Sequence, residues 1–216
     1  MKVSKYLLAL IVMLLLVGCE DEEQAKIFAA QECLDKATDL ASANACADMV
    51  SGLTSADSFI IRCSADFIGE GFTANKIADV FQAANTAQGD NQDPLVGLMS
   101  VLTFKTLVAA TAAKDTCAQT NSEGMAMFGI IAEIATTFGS LAGCLPTCSV
   151  AQLATGIGNG TKDAELGVLV NTLDITYCAN PDNAGTDICT EVIGTANPGN
   201  PSSAGTNFRT GLDTTN

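Results

Sequence analysis

Residues 121–144 read NSEGMAMFGIIAEIATTFGSLAGC, and their reading decides the fold. Thr120, Asn121, Ser122 and Glu123 have the spacing of a capping box, so a helix is expected to open here and run to residue 143. Phe128, Ile131, Ala135 and Phe138 recur at helical spacing on one side, while Thr137 and Ser140 share the other side with Glu133. The segment is long enough to cross a bilayer, and Gly139-x-x-x-Gly143 would suit close helix packing there. An acid at mid-helix is costly in lipid, and the cysteine at the helix end suits a bridged protein outside the membrane. The stretch therefore points to the core helix of an all-α protein.

The neighbouring segment 95–117 follows a helix start at Asp93-Pro94 and is expected to form one apolar helix. Its stripe of Leu98, Val101, Leu102, Val108 and Ala112 holds Lys105 at its centre. Folded against 123–143 about Gln119, Lys105 lies fourteen residues before the turn and Glu133 fourteen after it. Equal rise brings both to one level, so Lys105 and Glu133 are expected as neighbours in a structural ion pair that fixes register. Two alternatives stay open. Lys105 could reach water along its stem while Glu133 faces solvent, or the pair could serve a cavity.

Further out the periodicity stays helical. Helices are predicted over 24–40, 44–52 and 57–69, the last with Ile60, Cys63 and Phe67 on one side. Another is predicted over 74–88 with Ile77, Phe81 and Ala84 inward, then 149–157, Thr161 to 177, and a turn or two around Cys189. The stretch FIGEGFTANKIADVFQAANTA, 67–87, loosely resembles a tetratricopeptide hairpin. It does not recur at the repeat's period, so the resemblance implies antiparallel helical hairpins rather than a long array. From Thr195 the chain is Gly, Pro, Ser, Thr and Asn, and residues 195–216 are expected to be a disordered tail.

At the other end, Lys2 and Lys5 precede the apolar run YLLALIVMLLLV, 6–17, the layout of an export signal. It ends in Leu16-Val17-Gly18-Cys19, which resembles the lipobox of bacterial lipoproteins. The resemblance implies that residues 1–18 are removed and that Cys19 carries acyl chains that bind the membrane. Residues 19–24 would then be an acidic tether and 25–194 a helical domain. It also implies a place in the cell envelope. Glu20 is not the aspartate that retains some lipoproteins at the inner membrane, so the outer membrane is expected.

Export places the other eight cysteines in an oxidising space. Cys33, Cys46, Cys63, Cys117, Cys144, Cys148, Cys178 and Cys189 are even in number and are expected to form four disulfides. Cys33 and Cys46 bracket a helix-to-helix connection, and Cys178 and Cys189 bracket the turn-rich ANPDNAGTDI. Cys144 and Cys148 are one residue further apart than a thioredoxin-like pair and are expected to bridge to each other or elsewhere. Thiol-disulfide chemistry at this pair is the second alternative function.

Composition narrows the chemistry. The formal charge is −14, and it becomes −16 once Lys2 and Lys5 leave with the signal. Such a surface repels nucleic acid. The chain has no histidine, which excludes histidine-based triads, metal ligation and acid–base steps within it. GIGNG at 156–160 is a turn and DNQD at 90–93 lacks the calcium-loop pattern. Asp163 and Glu165 read as a solvated helix start. No catalytic residue, metal or cofactor is expected. The leading expectation is a membrane-tethered, non-enzymatic interaction module with a protein partner. The alternative is a carrier that holds an apolar ligand in a helical cavity, where Gly, Ala and Thr along 95–145 leave room.

Overall fold

A computed structural model describes residues 22–73, 94–186, 188–193 and 200–213. The signal and lipobox, with Cys19, and the expected helix 74–88 lie outside these residues. Among the described residues every regular element is helical, so the expected disulfide-stapled, all-α architecture is what the chain adopts.

Three helices build a small first core. They are α1 (Glu22–Leu34), α2 (Leu40–Asp48) and α3 (Ala56–Gly69). Asp39 starts α2 through a capping box with Ser42, and Ser55 caps α3 by accepting from the Ser58 amide. Ala30, Leu34, Ala43, Cys46, Val50, Ile61 and Ala65 are buried together, and a Cys33–Cys46 disulfide ties α1 to α2.

The second core surrounds one helix. It comprises α4 (Pro94–Val101), α5 (Leu107–Cys117), α6 (Glu123–Ala142), α7 (Val150–Ile157), α8 (Asp163–Leu173) and α9 (Pro201–Asp213). Helix α6 is the stretch quoted at the outset. Its cap is Ser122, and it ends at Gly143, which takes a left-handed φ of 66° that a side chain would strain. Every residue from Gly129 to Gly139 is buried, Glu133 included. A helix apolar on all sides is covered on all sides. Although α6 is long and apolar enough to cross a membrane, α4, α5, α7 and α8 pack around it here.

Two expectations need correction. Segment 95–117 is not one helix: it leaves the helical path at residues 102–106 and restarts at Leu107 under a Thr106 cap. Phe104 explains the break. It is buried in an aromatic cluster, edge-on to Phe67 at 5.1 Å and beside Phe72 at 5.5 Å. Its amide donates to Thr136 Oγ1 at 2.9 Å, a bond a continuous helix could not make. Nor is the end of the chain disordered over 201–213, so the helical domain extends beyond residue 194. Residues 201–213 form α9, which buries Ala204, Phe208 and Leu212, one residue per turn, against the core. Small residues permit this. A Cβ on Gly167 of α8 would collide with the Pro201 carbonyl, and one on Gly205 of α9 with the Asp163 carbonyl, so the two backbones touch. Arg209 then pairs with Asp163 at 3.0 Å.

Helix α8 continues as a wider turn over Asp174–Cys178, and a similar turn spans Ile188–Ile193, where a last helical turn near Cys189 is predicted.

Candidate functional site

The eight cysteines pair as Cys33–Cys46, Cys63–Cys117, Cys144–Cys148 and Cys178–Cys189. The two bridges expected around chain connections, Cys33–Cys46 and Cys178–Cys189, are present, and Cys144 and Cys148, for which pairing with each other or elsewhere was open, pair with each other. The long-range one, Cys63–Cys117, has no local signal in the sequence. It crosses from α3 to α5 within the second core, while other residues of α3 belong to the first.

Helix α3 is the element both cores share. Ile61 and Ala65 face the first core, and Cys63 and Phe67 face the second. One turn beyond the disulfide, Asp66 meets Thr116, its carboxyl pushed up to about 6 chiefly by burial. The Thr116 hydroxyl and the Arg62 guanidinium oppose that rise, and Glu70 adds to it. A turn further, Glu70 Oε2 accepts the Lys105 amide at 2.8 Å and lies 3.9 Å from Lys105 Nζ. The Lys105 ammonium also donates to the Gly69 carbonyl at 3.2 Å.

Lys105 and Glu133 are therefore not partners. The antiparallel arrangement is as expected, but its register is not. Thr111 Oγ1 donates to Glu133 Oε1 at 2.6 Å, which centres the α5–α6 pair on residue 122 instead of 119. The non-helical residues 102–106 move Lys105 out of the stripe altogether. Its place near Glu133 is taken by Lys114, whose Nζ lies 2.9 Å from Glu133 Oε2. That contact is an ion pair without well-aligned hydrogen-bond geometry. Burial would lower the Lys114 pKa, but the Glu133 and Asp115 carboxylates outweigh it and hold the ammonium above its ordinary value. A counting argument centred on Gln119 could not reveal Lys114.

Between the cores lies a cleft of about 1040 Å³. Ile27 and Leu34 of α1 and Ile60 of α3 form one wall; Phe72, Met125 and Phe128 form the other. Its volume is on the scale of ligand-binding clefts, and its surface is mostly apolar. From the segment 95–145, where a cavity is expected, Leu102, Met125 and Phe128 line this cleft, and Leu107, Val108, Thr111, Ala112 and Asp115 line a separate depression of about 430 Å³. Elsewhere in that segment the small residues bring helices together: Ala110, Ala113, Ala132 and Ala135 are fully buried, and Gly129 packs against the Lys114 backbone. No cluster of side chains suited to a metal is present among the described residues.

Comparison of the chain with protein families, curated proteins and solved structures finds no match.

Proposed function

We propose that the protein is a lipid-anchored, non-enzymatic binding module of the cell envelope, held at a membrane by acyl chains on Cys19. Its working part is the cleft between the cores, and its guest is apolar. The observation that carries this reading is the cleft itself, an apolar concavity of about 1040 Å³ between two disulfide-locked helical units. The guest gains by removing apolar surface from water, at about 25 cal/mol per Å². It meets walls fixed in advance by the Cys33–Cys46 and Cys63–Cys117 bridges, so little ordering opposes binding.

The test has two parts. Intact mass of protein extracted from membranes, alkylated without reduction, reads the anchor and the bridges together. The expected mass starts at an acylated Cys19 and carries no alkyl adduct; a retained signal overturns the lipoprotein reading. Calorimetry on the mature chain, made as Cys19→Ser so that no acyl chain is attached, reads the cleft. The neutral amphiphile dodecyl maltoside, below its micelle concentration, is expected to bind one to one. Absence of binding overturns the carrier reading, and a stoichiometric protein co-purifying from membranes would restore the protein-assembly reading.

A further inference from the structure

Resting on the reading of Cys19 as the lipid anchor, we propose that the first two turns of α1 lie against the bilayer and that Phe28 inserts into its interface. Phe28 is 70% exposed, a large aromatic ring left in water. It stands on the side of α1 turned away from the first core. Helical spacing places Ile27, Ala30, Cys33 and Leu34 on the packed side, within that core or against it. Gln24, Ala25 and Phe28 share the outer side, and all three are exposed.

What covers this side follows from its connection to Cys19. Glu22, the first residue of α1, is three residues after Cys19. Three residues span at most about 10 Å when fully extended. Phe28 is six residues further on, a rise of about 9 Å along the helix. The acylated residue therefore holds the Phe28 backbone within about 20 Å of itself, whatever path residues 20–21 take. Val108 and Ile175 are also exposed but have no such tether.

The charge pattern sets where contact ends. The chain is strongly acidic, and an anionic leaflet repels it. The outer side of the first two turns is free of that repulsion: Gln24, Ala25 and Phe28 are neutral, and Glu22 pairs with Lys26 at 2.8 Å away from Phe28. One turn beyond Phe28 the same side becomes acidic, at Glu32, paired with Lys36, and at Asp35 just past the helix end. The helix then rises from the bilayer toward its C-terminus. Burying the Phe28 ring removes apolar surface from water, and aromatic side chains anchor surface-lying helices in this way. The consequence is an orientation: α1 lies between the bilayer and the first core, and the domain is held in one pose instead of swinging on its tether.

The chain has no tryptophan, so Phe28→Trp introduces a single indole reporter at an exposed position. The full lipidated protein with this substitution is extracted from membranes and reconstituted into phosphatidylcholine vesicles, and its flotation with them is measured first. Its emission is expected to lie to the blue of the same reporter in the unlipidated Cys19→Ser chain in buffer. Phosphatidylcholine brominated on its acyl chains is expected to quench it. Val108→Trp, a site at least as exposed on α5, is expected to keep its solvent emission in the same vesicles and to escape quenching. Flotation with unshifted, unquenched Phe28→Trp emission overturns the inference and leaves the anchor standing. Equal quenching at both positions overturns it too, since contact would then not be particular to α1. Absence of flotation overturns the lipoprotein reading, and this inference falls with it.

Discussion

Lys114→Met should destabilise the protein more than Glu133→Gln does, although both remove the same ion pair. At an effective dielectric of about 20, unit charges 2.9 Å apart attract by about 6 kcal/mol, and desolvation of the two groups cancels most of this. The residue of the sum matters less than what each variant leaves behind. Methionine keeps the Lys114 stem packed but strands the Glu133 carboxylate, which is 8% exposed, with only the Thr111 hydroxyl to solvate it. The expected cost is about 2–3 kcal/mol at pH 7.5, below the usual figure for a broken buried pair because that hydroxyl remains. Glutamine still accepts from Thr111, and the orphaned Lys114 reaches water, so its cost is about 1 kcal/mol. Urea unfolding with disulfides intact, followed by circular dichroism at 222 nm, measures all of this. A Glu133→Gln penalty exceeding that of Lys114→Met would refute the reasoning.

Asp66, held at about 6 by burial, should lower stability by about 1–2 kcal/mol as pH rises from 4 to 7, after discounting for its partial contact with water. Asp66→Asn should flatten that slope in the same urea assay; an unchanged slope places the proton elsewhere. Phe208→Ala should cost about 3–5 kcal/mol, because Phe208 is buried and stacks on Phe138 at 6.4 Å. Limited proteolysis should then cut the chain near residue 200, and unchanged resistance would mean that α9 is not docked. Gly167→Ala should destabilise strongly through the Pro201 carbonyl, whereas Gly97→Ala, with open space at its Cβ, should stabilise by about 0.5–1 kcal/mol. Thermal melts of the two variants read the contrast. Replacing Cys63 and Cys117 by Ala should cost about 4 kcal/mol on loop-closure grounds, against about 2 for Cys144 and Cys148. Equal costs in the urea assay would show that loop length does not govern them.

What the sequence discloses here is what local periodicity and parity can carry. Helix α6 was legible because caps, length and apolar residues all agree over 123–142. Four disulfides were legible as a count, and two of the bridges, Cys33–Cys46 and Cys178–Cys189, as brackets around connections. The failures share a cause: each depended on a contact made far along the chain. Segment 95–117 has continuous helical patterning, but Phe104 gains more by joining Phe67 and Phe72 than the helix loses by breaking at Thr103. The register is set separately, by Thr111 meeting Glu133 across a turn centred on residue 122. The C-terminal segment has the composition of a linker, yet Ala204, Phe208 and Leu212 form a narrow stripe, and the absence of side chains at Gly205 and Gly167 is what lets that stripe reach the core. Low apolar content signals disorder only when the few apolar residues cannot be aligned on one face. The cleft could not be read in advance, since its walls come from segments as distant as Ile27 and Phe128.

The position of the cleft follows from how little the first core can bury. Four of its eight buried residues are alanine, and one is a bridged cysteine, so hydrophobic burial alone holds α1, α2 and α3 weakly. The Cys33–Cys46 bridge supplies what packing does not. A unit of that size covers only part of the second core. Among the described residues its attachment runs along α3 and the turn after it, through one disulfide, the Asp66–Thr116 contact, the Glu70–Lys105 contact and the packing of Phe67 and Phe72 on Phe104. Among the described residues, Ile27 and Leu34 of α1 and Met125 and Phe128 of α6, the latter two packed against the second core, line the cleft. A short, covalent seam therefore does two things: it keeps a thin helical unit folded, and it holds an apolar concavity open at a fixed width. The Cys63→Ala/Cys117→Ala variant separates these roles. At a temperature where it stays helical, it should lose affinity for dodecyl maltoside, because the walls are then free to move; retained affinity would mean that packing, and not the bridge, sets the cleft.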